Sequence, residues 1–207
     1  MKSLHKFADQ CNLQYLFQHF ETDLRLQFVI VQIEITPNPN SLKFIPGKVV
    51  SSAGSFEVTK NDNLNNELVR NILSVNGVEG IFLGKDFISV NKYDENSWDD
   101  IKHIVISHIN EFYASGKEFV INKDLTEQNE SFDEIEKRIV QLLEDKIRPA
   151  IARDGGDIKF KEFKDGVVKV QLQGSCSGCP SSTMTLKQGV QNLLCHYLPE
   201  VKRVEAI

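Results

Sequence analysis

Two cysteines three positions apart, Cys176 and Cys179, carry the most distinctive chemistry in this sequence. They lie in the run Gly174-Ser-Cys-Ser-Gly-Cys-Pro-Ser-Ser-Thr183, directly after an alternating apolar and polar segment that predicts a β-strand. Pro180 suits the first turn of a helix, where a missing N–H costs nothing. The pattern therefore predicts a strand, a loop and a helix N-terminus. The positive end of a helix dipole near both sulfurs favours the thiolate form, which binds metals or attacks disulfides.

Zinc ligation is the first chemistry to test against the rest of the chain. A structural zinc site needs four ligands, typically two such cysteine pairs or one pair with histidines. The sequence has no second CxxC, and no histidine follows the first until His196. Cys195 lies sixteen positions beyond Cys179, which is about 24 Å along a helix. Helical phase also places Cys195 nearly opposite the predicted buried stripe, so it cannot join the pair on one metal within one chain.

Iron–sulfur ligation is the second possibility. One chain supplies two thiolates, which is half of a Cys₄ site. Two chains related by a two-fold axis would supply all four. A cluster held in this way lies at an interface near solvent, where incoming thiolates can replace its ligands in pairs. Such a site suits a carrier better than an electron-transfer protein.

Dithiol redox chemistry is the third possibility, because a CxxC at a helix N-terminus is also the thioredoxin arrangement. Against it, the motif comes late in the chain and does not open a βαβ unit. No aromatic residue precedes Cys176, and Pro180 follows the pair instead of lying within it. A purely structural pair is disfavoured because the small flanking residues would leave both sulfurs exposed. The residues alone leave these alternatives open.

The elements that must position the pair form a predicted domain over residues 131–207. Ser131 and Glu134 have the spacing of a capping box, and the helix that they open contains Pro149, which predicts a kink or an end nearby. Asp165-Gly166 predicts a hairpin turn between two strands. After the cysteines come a second helix and a third strand. The predicted order is α-β-β-α-β, a three-stranded sheet covered by two helices.

Residues 28–121 predict a second small α+β domain. Asn61 or Asp62 is expected to cap its first helix, and Ser97 with Asp100 its second. The predicted strands are Phe28–Thr36, Leu42–Ile45, the segment around Phe56 and Val58, Val78–Leu83 and Phe87–Val90. Residues 1–27 are interpreted as an N-terminal extension with a mildly amphipathic pattern, and residues 122–130 as a polar linker that few contacts cross.

Composition limits the partners and the compartment. The 207 residues carry a net charge of −5, which does not favour binding to nucleic acid or to anionic membranes. The longest apolar runs are too short to span a bilayer. Four cysteines in a chain of this length do not form a disulfide framework, which favours a reducing compartment. Residues 1–27 contain three basic and three acidic side chains and match neither a secretory signal nor a transit peptide.

Two motif sets resemble one known family. The cysteine run, preceded by Arg148-Pro149 and Asp154-Gly-Gly-Asp-Ile158, closely resembles the NifU-like C-terminal domain of Nfu-type iron–sulfur proteins. Residues from about 28 to 115, with Thr36-Pro-Asn-Pro-Asn-Ser-Leu-Lys-Phe44, resemble the Nfu N-terminal domain. The resemblance covers both domains in the family's order. Residues 1–27 and Cys195 depart from the family pattern, and neither departure removes a ligand.

The resemblance implies a function for the cysteine pair. Cys176 and Cys179 match the family's ligand positions, which implies a [4Fe–4S] cluster shared between two protomers. The implied protein is a carrier rather than an enzyme. Its implied partners are a second copy of the chain, an upstream cluster donor and apo iron–sulfur client proteins. We expect a bacterial cytoplasmic location, with the mitochondrial matrix as the alternative.

Overall fold

The computed structural model describes residues 30–52, 54–62, 66–117, 132–177 and 180–207. The described residues form an N-terminal unit, residues 30–117, and a C-terminal unit, residues 132–207, each with its own apolar core. The predictions for the extension 1–27, for the linker 122–130 and for Cys179 lie outside the described residues.

A five-stranded antiparallel sheet forms the N-terminal unit, with the strand order β1-β2-β5-β4-β3. The strands are β1 Gln32–Ile35, β2 Ser41–Ile45, β3 Phe56–Thr59, β4 Val78–Leu83 and β5 Ile88–Lys92. Helices α1 Glu67–Ser74 and α2 Trp98–Ala114 share one apolar core with the sheet. The predicted strands and both helices are present, although β1 is shorter than its prediction.

The starts of the two helices differ from the sequence prediction. Asn66, rather than Asn61 or Asp62, caps α1, and its side-chain oxygen accepts a hydrogen bond from the Val69 amide at 3.2 Å. Ser97 does cap α2, but its hydroxyl accepts from the Asp99 amide at 3.2 Å instead of forming a reciprocal pair with Asp100. Several short polar residues precede α1, so the identity of the cap depends on where tertiary packing begins the helix.

The C-terminal unit begins with a bent helix. It consists of α3 Glu134–Leu142, a π-helical segment Leu143–Ile147 and α4 Arg148–Arg153. Pro149 has no N–H to donate to the preceding turn, and a π-turn just before it accommodates the lost bond. The predicted kink or end near Pro149 corresponds to this interruption of the α-helix. The predicted cap Ser131 is wrong, because Asp133 and Glu136 form the capping box of α3.

A three-stranded sheet, ordered β6-β7-β8, completes the C-terminal unit. The remaining elements are β6 Gly156–Lys164, β7 Val167–Gly174, α5 Pro180–Tyr197 and β8 Arg203–Ala206. Asp165 and Gly166 turn β6 into the antiparallel β7 with positive φ at both residues, as a tight hairpin requires. Strand β8 pairs parallel to β7. The predicted α+β class and the α-β-β-α-β order are confirmed. Within the described residues, no helix is both long and apolar enough to span a bilayer.

Candidate functional site

Cys176 lies in the segment between β7 and α5, residues 175–179, which we call the cysteine loop. The structure describes residues 175–177 of this loop. Cys176 is 5% exposed and packs with the apolar core of the C-terminal unit. A Cβ atom on Gly156 would lie 2.8 Å from the Cys176 sulfur and 2.6 Å from the Gln173 carbonyl oxygen. The sulfur therefore rests directly against the main chain of β6.

Main-chain and hydroxyl hydrogen bonds hold the loop on the turn before β6. Ser175 is buried, its hydroxyl donates to the Asp154 carbonyl, and its amide donates to the Gly155 carbonyl at 3.2 Å. The Ser177 amide donates to the Gly174 carbonyl at 3.1 Å. The Asp154-Gly-Gly-Asp157 segment, which the sequence indicates only as a turn, thus supports the cysteine loop. It also binds the N-terminal unit.

The N-terminal unit contacts the cysteine loop through two polar side chains. The Asn38 amide donates to the Ser175 carbonyl at 3.0 Å. The Glu57 carboxylate accepts from the Gly174 amide at 3.2 Å and from the Ser177 hydroxyl at 3.0 Å. Sequence reasoning missed both side chains, because no local pattern links residues that lie more than a hundred positions apart.

A glycine allows the two units to approach closely beside the loop. Gly174 has φ +70°, a conformation that favours glycine, and a Cβ atom there would lie 2.8 Å from the Phe82 ring. A side chain at residue 174 would therefore separate β7 from the N-terminal sheet. Next to this contact, Ser89 of β5 is fully buried and donates to the Gly155 carbonyl at 2.6 Å.

An ion pair within the C-terminal unit presents a carboxylate to the N-terminal unit. Arg148 donates from Nε to Oδ1 of Asp157 at 3.0 Å and from Nη2 to Oδ2 at 3.3 Å. The Ser55 hydroxyl of the N-terminal unit donates to the same carboxylate. Lys159 donates from Nζ to the Ser55 carbonyl at 3.2 Å. The prediction that few contacts join the two units is therefore wrong. The polar linker predicted independence, but the sheet face of the N-terminal unit carries donors and acceptors that the C-terminal unit satisfies.

A cavity of about 520 Å³ opens beside Cys176, between the units. Pro37 and Asn38 line it from the N-terminal unit, and Leu186 and Val190 line it from α5. Its walls are mainly apolar. The cavity gives the thiol of Cys176 an opening that both units shape.

The structure separates Cys195 from the candidate site. Cys195 lies on α5 and is half-buried against the core of the C-terminal unit, so its predicted place opposite the buried stripe is wrong. Leu198, which directly follows α5, is also buried, so the apolar surface at this end of the helix is wider than the predicted stripe. Among the described residues, no group of three or more histidine, cysteine or acidic side chains is arranged to hold a metal ion. Cys179, the second predicted ligand, is outside the described part of the chain.

Two family models match the sequence. The model described as "NifU-like domain" matches residues 139–205. The model described as "Scaffold protein Nfu/NifU N terminal" matches residues 31–116. The two matches coincide with the two units of the structure, and the first contains the cysteine loop.

Curated proteins match over most of the chain. A human protein named "NFU1 iron-sulfur cluster scaffold homolog, mitochondrial" is 41% identical over 186 residues, which span 88% of this chain and 73% of that protein. The Arabidopsis thaliana "NifU-like protein 4, mitochondrial" is 42% identical over 185 residues, 86% of this chain and 65% of that protein. A solution NMR structure of a NifU-like protein from Saccharomyces cerevisiae is 27% identical, with a TM-score of 0.42 over 47% of this chain and 88% of that chain.

These relatives correct one prediction. The expected bacterial cytoplasmic location is wrong, because curated relatives about 40% identical to the chain are mitochondrial proteins of eukaryotes. The prediction rested on cysteine usage, which indicates a reducing compartment. Cysteine usage does not distinguish one reducing compartment from another.

Proposed function

Because the chain belongs to the Nfu family of NifU-like proteins, we propose that it binds an iron–sulfur cluster and passes it to apo-proteins. In this proposal Cys176 and Cys179 are the ligands. Two protomers together hold one [4Fe–4S] cluster, which is the cargo of the protein rather than a resident cofactor. The protein acts as a carrier and not as a catalyst, and its relatives' names favour a mitochondrial setting.

The position of Cys176 is the observation that carries the proposal. Its sulfur lies at the end of a strand in a loop of small residues, ahead of the N-terminus of α5. Thiolate sulfur is the ligand that iron–sulfur clusters take from proteins. The number of ligands in one chain supports a cluster shared between two protomers, since the described residues hold no other group able to complete a metal site. A two-fold pair of chains would bring four thiolates together.

The proposed chemistry is ligand exchange. A cluster at a two-fold interface has its ligands near solvent, so thiolates of a client can replace those of one protomer and then those of the other. Dissociation of the dimer accompanies release, because no single protomer retains four ligands. An upstream donor would load the cluster by the same steps in reverse.

Anaerobic reconstitution with iron and sulfide tests the proposal. We expect the apo-protein to be largely monomeric and the reconstituted protein to be a dimer with about four irons per dimer. Cys176→Ser and Cys179→Ser should abolish iron binding. Cys195→Ser is the matched control and should leave the iron content unchanged, because Cys195 lies near the C-terminal end of α5, whereas the loop adjoins its N-terminal end. Native mass measurement and iron analysis on the same samples check both statements.

Two results would contradict the proposal. A stable monomer that holds a complete cluster would exclude sharing between protomers. Efficient reduction of a protein disulfide by the metal-free chain, without iron binding, would instead favour a dithiol oxidoreductase.

A further inference from the structure

We infer that the N-terminal unit is an intramolecular cap on the cysteine loop, and that it competes with the second protomer for this loop. The competition rests on the proposed function, whereas the cap itself does not. The cap surface consists of Asn38 in the turn before β2, Glu57 on β3 and Ser89 on β5. It faces residues 154–157 and 174–177 of the C-terminal unit.

The turn Thr36-Pro-Asn-Pro-Asn40 forms the first contact of the cap. The Thr36 hydroxyl oxygen lies 2.9 Å from the carbonyl oxygens of both Asn38 and Ser41, and its one proton can be donated to either. The Asn38 side-chain oxygen accepts from the Asn40 amide at 2.9 Å. These bonds use the oxygen of the Asn38 side chain within the turn and leave its NH₂ group to donate to the Ser175 carbonyl. The turn therefore presents one donor to the residue next to Cys176.

Glu57 forms the second contact. One carboxylate oxygen accepts both the Gly174 amide and the Ser177 hydroxyl, which lie on either side of Cys176 in the sequence. Hydrogen bonds to an ionised acceptor are about twice as strong as neutral ones. Asn38 and Glu57 thus hold the main chain before and after the thiol, and Pro37 and Asn38 form one wall of the cavity beside it.

The chemistry of the junction indicates that the cap is reversible. Its contacts include hydrogen bonds from Ser55, Ser89 and Lys159, together with the Phe82 ring packed against Gly174. Polar groups recover hydrogen bonds to water when such a surface opens, so its net stabilisation is modest. Contacts of this kind between domains resemble transient protein interfaces.

Cap and dimer require the same loop. A cluster shared across a two-fold axis requires each cysteine loop to face its copy. The N-terminal unit occupies the side of the loop that includes Gly174, Ser175 and Ser177. Loading must therefore displace the cap, which holds the chain on both sides of Cys176 until a donor or a second chain arrives.

The test begins with the wild-type apo-protein. Nitrogen-15 relaxation of the full chain should give one rotational correlation time for backbone amides of residues 30–117 and 132–207. Two separate correlation times would overturn the cap. This measurement needs no variant and no cluster.

Alkylation of Cys176 by iodoacetamide, followed by peptide mass spectrometry, tests the contacts. Glu57→Ala combined with Asn38→Ala should raise the rate by about tenfold or more, because hydrogen bonds to a carboxylate are lost. Glu79→Ala is the matched control, since Glu79 lies exposed on the neighbouring strand β4. Its rate should equal that of the wild type. Equal rates in all three proteins would overturn the cap.

Reconstitution then tests the competition. The double variant should load iron and dimerise at a lower chain concentration than the wild type and the Glu79→Ala control. An unchanged or higher concentration requirement, with loading intact, would overturn the competition. Failure of every protein to take up iron would overturn the proposed function alone, because the tumbling and alkylation measurements involve no cluster.

Discussion

The interiors of the two units and the junction between them are built from different chemistry. Each interior is an apolar cluster whose central members, such as Ile81 in one unit and Ile158 in the other, are fully or almost fully buried. At the junction, Ser89, Ser175 and Asp157 are also buried, but each of them makes hydrogen bonds across it or beside it. Burial alone therefore does not distinguish a permanent contact from a reversible one.

The apolar contacts within each unit and the polar contacts at the junction have different effects on stability. Apolar burial stabilises each unit against unfolding, because separating these side chains would expose them to water. A polar junction costs less to open, because water replaces its partners. The chain can thus change the exposure of its cysteine loop without unfolding either unit. Mutations in the two regions should differ in size and in readout.

The largest effect is expected in a core. Ile158→Ala should lower the free energy of unfolding of the C-terminal unit by about 2–5 kcal/mol, because it leaves a cavity in a closely packed interior. Met184→Ala is the control, since Met184 is 75% exposed on α5. Denaturant titration followed by NMR signals of each unit measures both. An equal loss in the two variants would show that the C-terminal core is not the main source of its stability.

Gly156→Ala should have the next largest effect. Its new methyl group would contact the Gln173 carbonyl oxygen and the Cys176 sulfur at less than van der Waals distance. We expect a loss of about 1–3 kcal/mol, typical of overpacking, together with a displaced cysteine loop. Gly189→Ala is a suitable control, because a Cβ there would meet nothing within 4 Å. Unchanged stability and alkylation rate in Gly156→Ala would mean that the loop does not rest on β6 as described.

Ser89→Ala should have a smaller effect that is confined to the junction. It removes one hydrogen bond to the Gly155 carbonyl, which still accepts from the Ser175 amide. We expect the cap to weaken by about 0.5–1.5 kcal/mol and Cys176 alkylation to accelerate accordingly. Ser107→Ala, which removes a bond to Glu111 on the exposed face of α2, should leave the rate unchanged. A loss confined to unfolding of the N-terminal unit would place Ser89 in the core instead of the junction.

The smallest effect is expected for the surface pair Lys169–Glu162, whose atoms are 2.7 Å apart. The hydrogen bond from Lys169 holds the pKa of Glu162 below its ordinary value of 4.5, and the same bond raises the pKa of Lys169. The stabilising contribution of the pair is therefore fully present between the ordinary pKa of Glu162, 4.5, and the ordinary pKa of Lys169, 10.5. It is lost as the pH falls through the lowered pKa of Glu162, and as the pH rises through the raised pKa of Lys169.

Lys169→Ala should remove this pH dependence and change the thermal midpoint little at neutral pH, because exposed ion pairs contribute weakly. Thermal melts between acid and neutral pH, at low and high salt, measure it. Salt should reduce the wild-type dependence. A large, salt-independent loss at neutral pH would show that the pair belongs to the packed structure.

Local patterns predicted most of the fold. The hairpin at Asp165-Gly166 and the kink near Pro149 follow from backbone restrictions that act within a few residues. Helix caps were less certain, because Ser131 and Asp133 both suit the role and only packing decides between them. The loop position of Cys176 also follows from local sequence.

The junction was not predictable from the sequence. Asn38 and Ser175 lie 137 positions apart, and their hydrogen bond leaves no periodic or compositional trace. The two prolines of Thr36-Pro-Asn-Pro-Asn40 indicate the end of a strand, but no local pattern indicates that Asn38 contacts Ser175. The predicted bacterial cytoplasmic location is wrong for a different reason. Receptors determine the compartment of a protein, and the patterns that predict its fold do not.

The fit of the Cys176 sulfur against Gly156 also limits the oxidation chemistry of the resting chain. Sulfinic acid formation adds two oxygen atoms to the sulfur and is irreversible for most proteins. On the β6 side the sulfur already lies where even one additional carbon on Gly156 would be too close. The larger oxidised forms therefore do not fit there unless the loop moves away from β6. Any oxidant or added oxygen atom must therefore approach the sulfur from the cavity beside Cys176 rather than from β6.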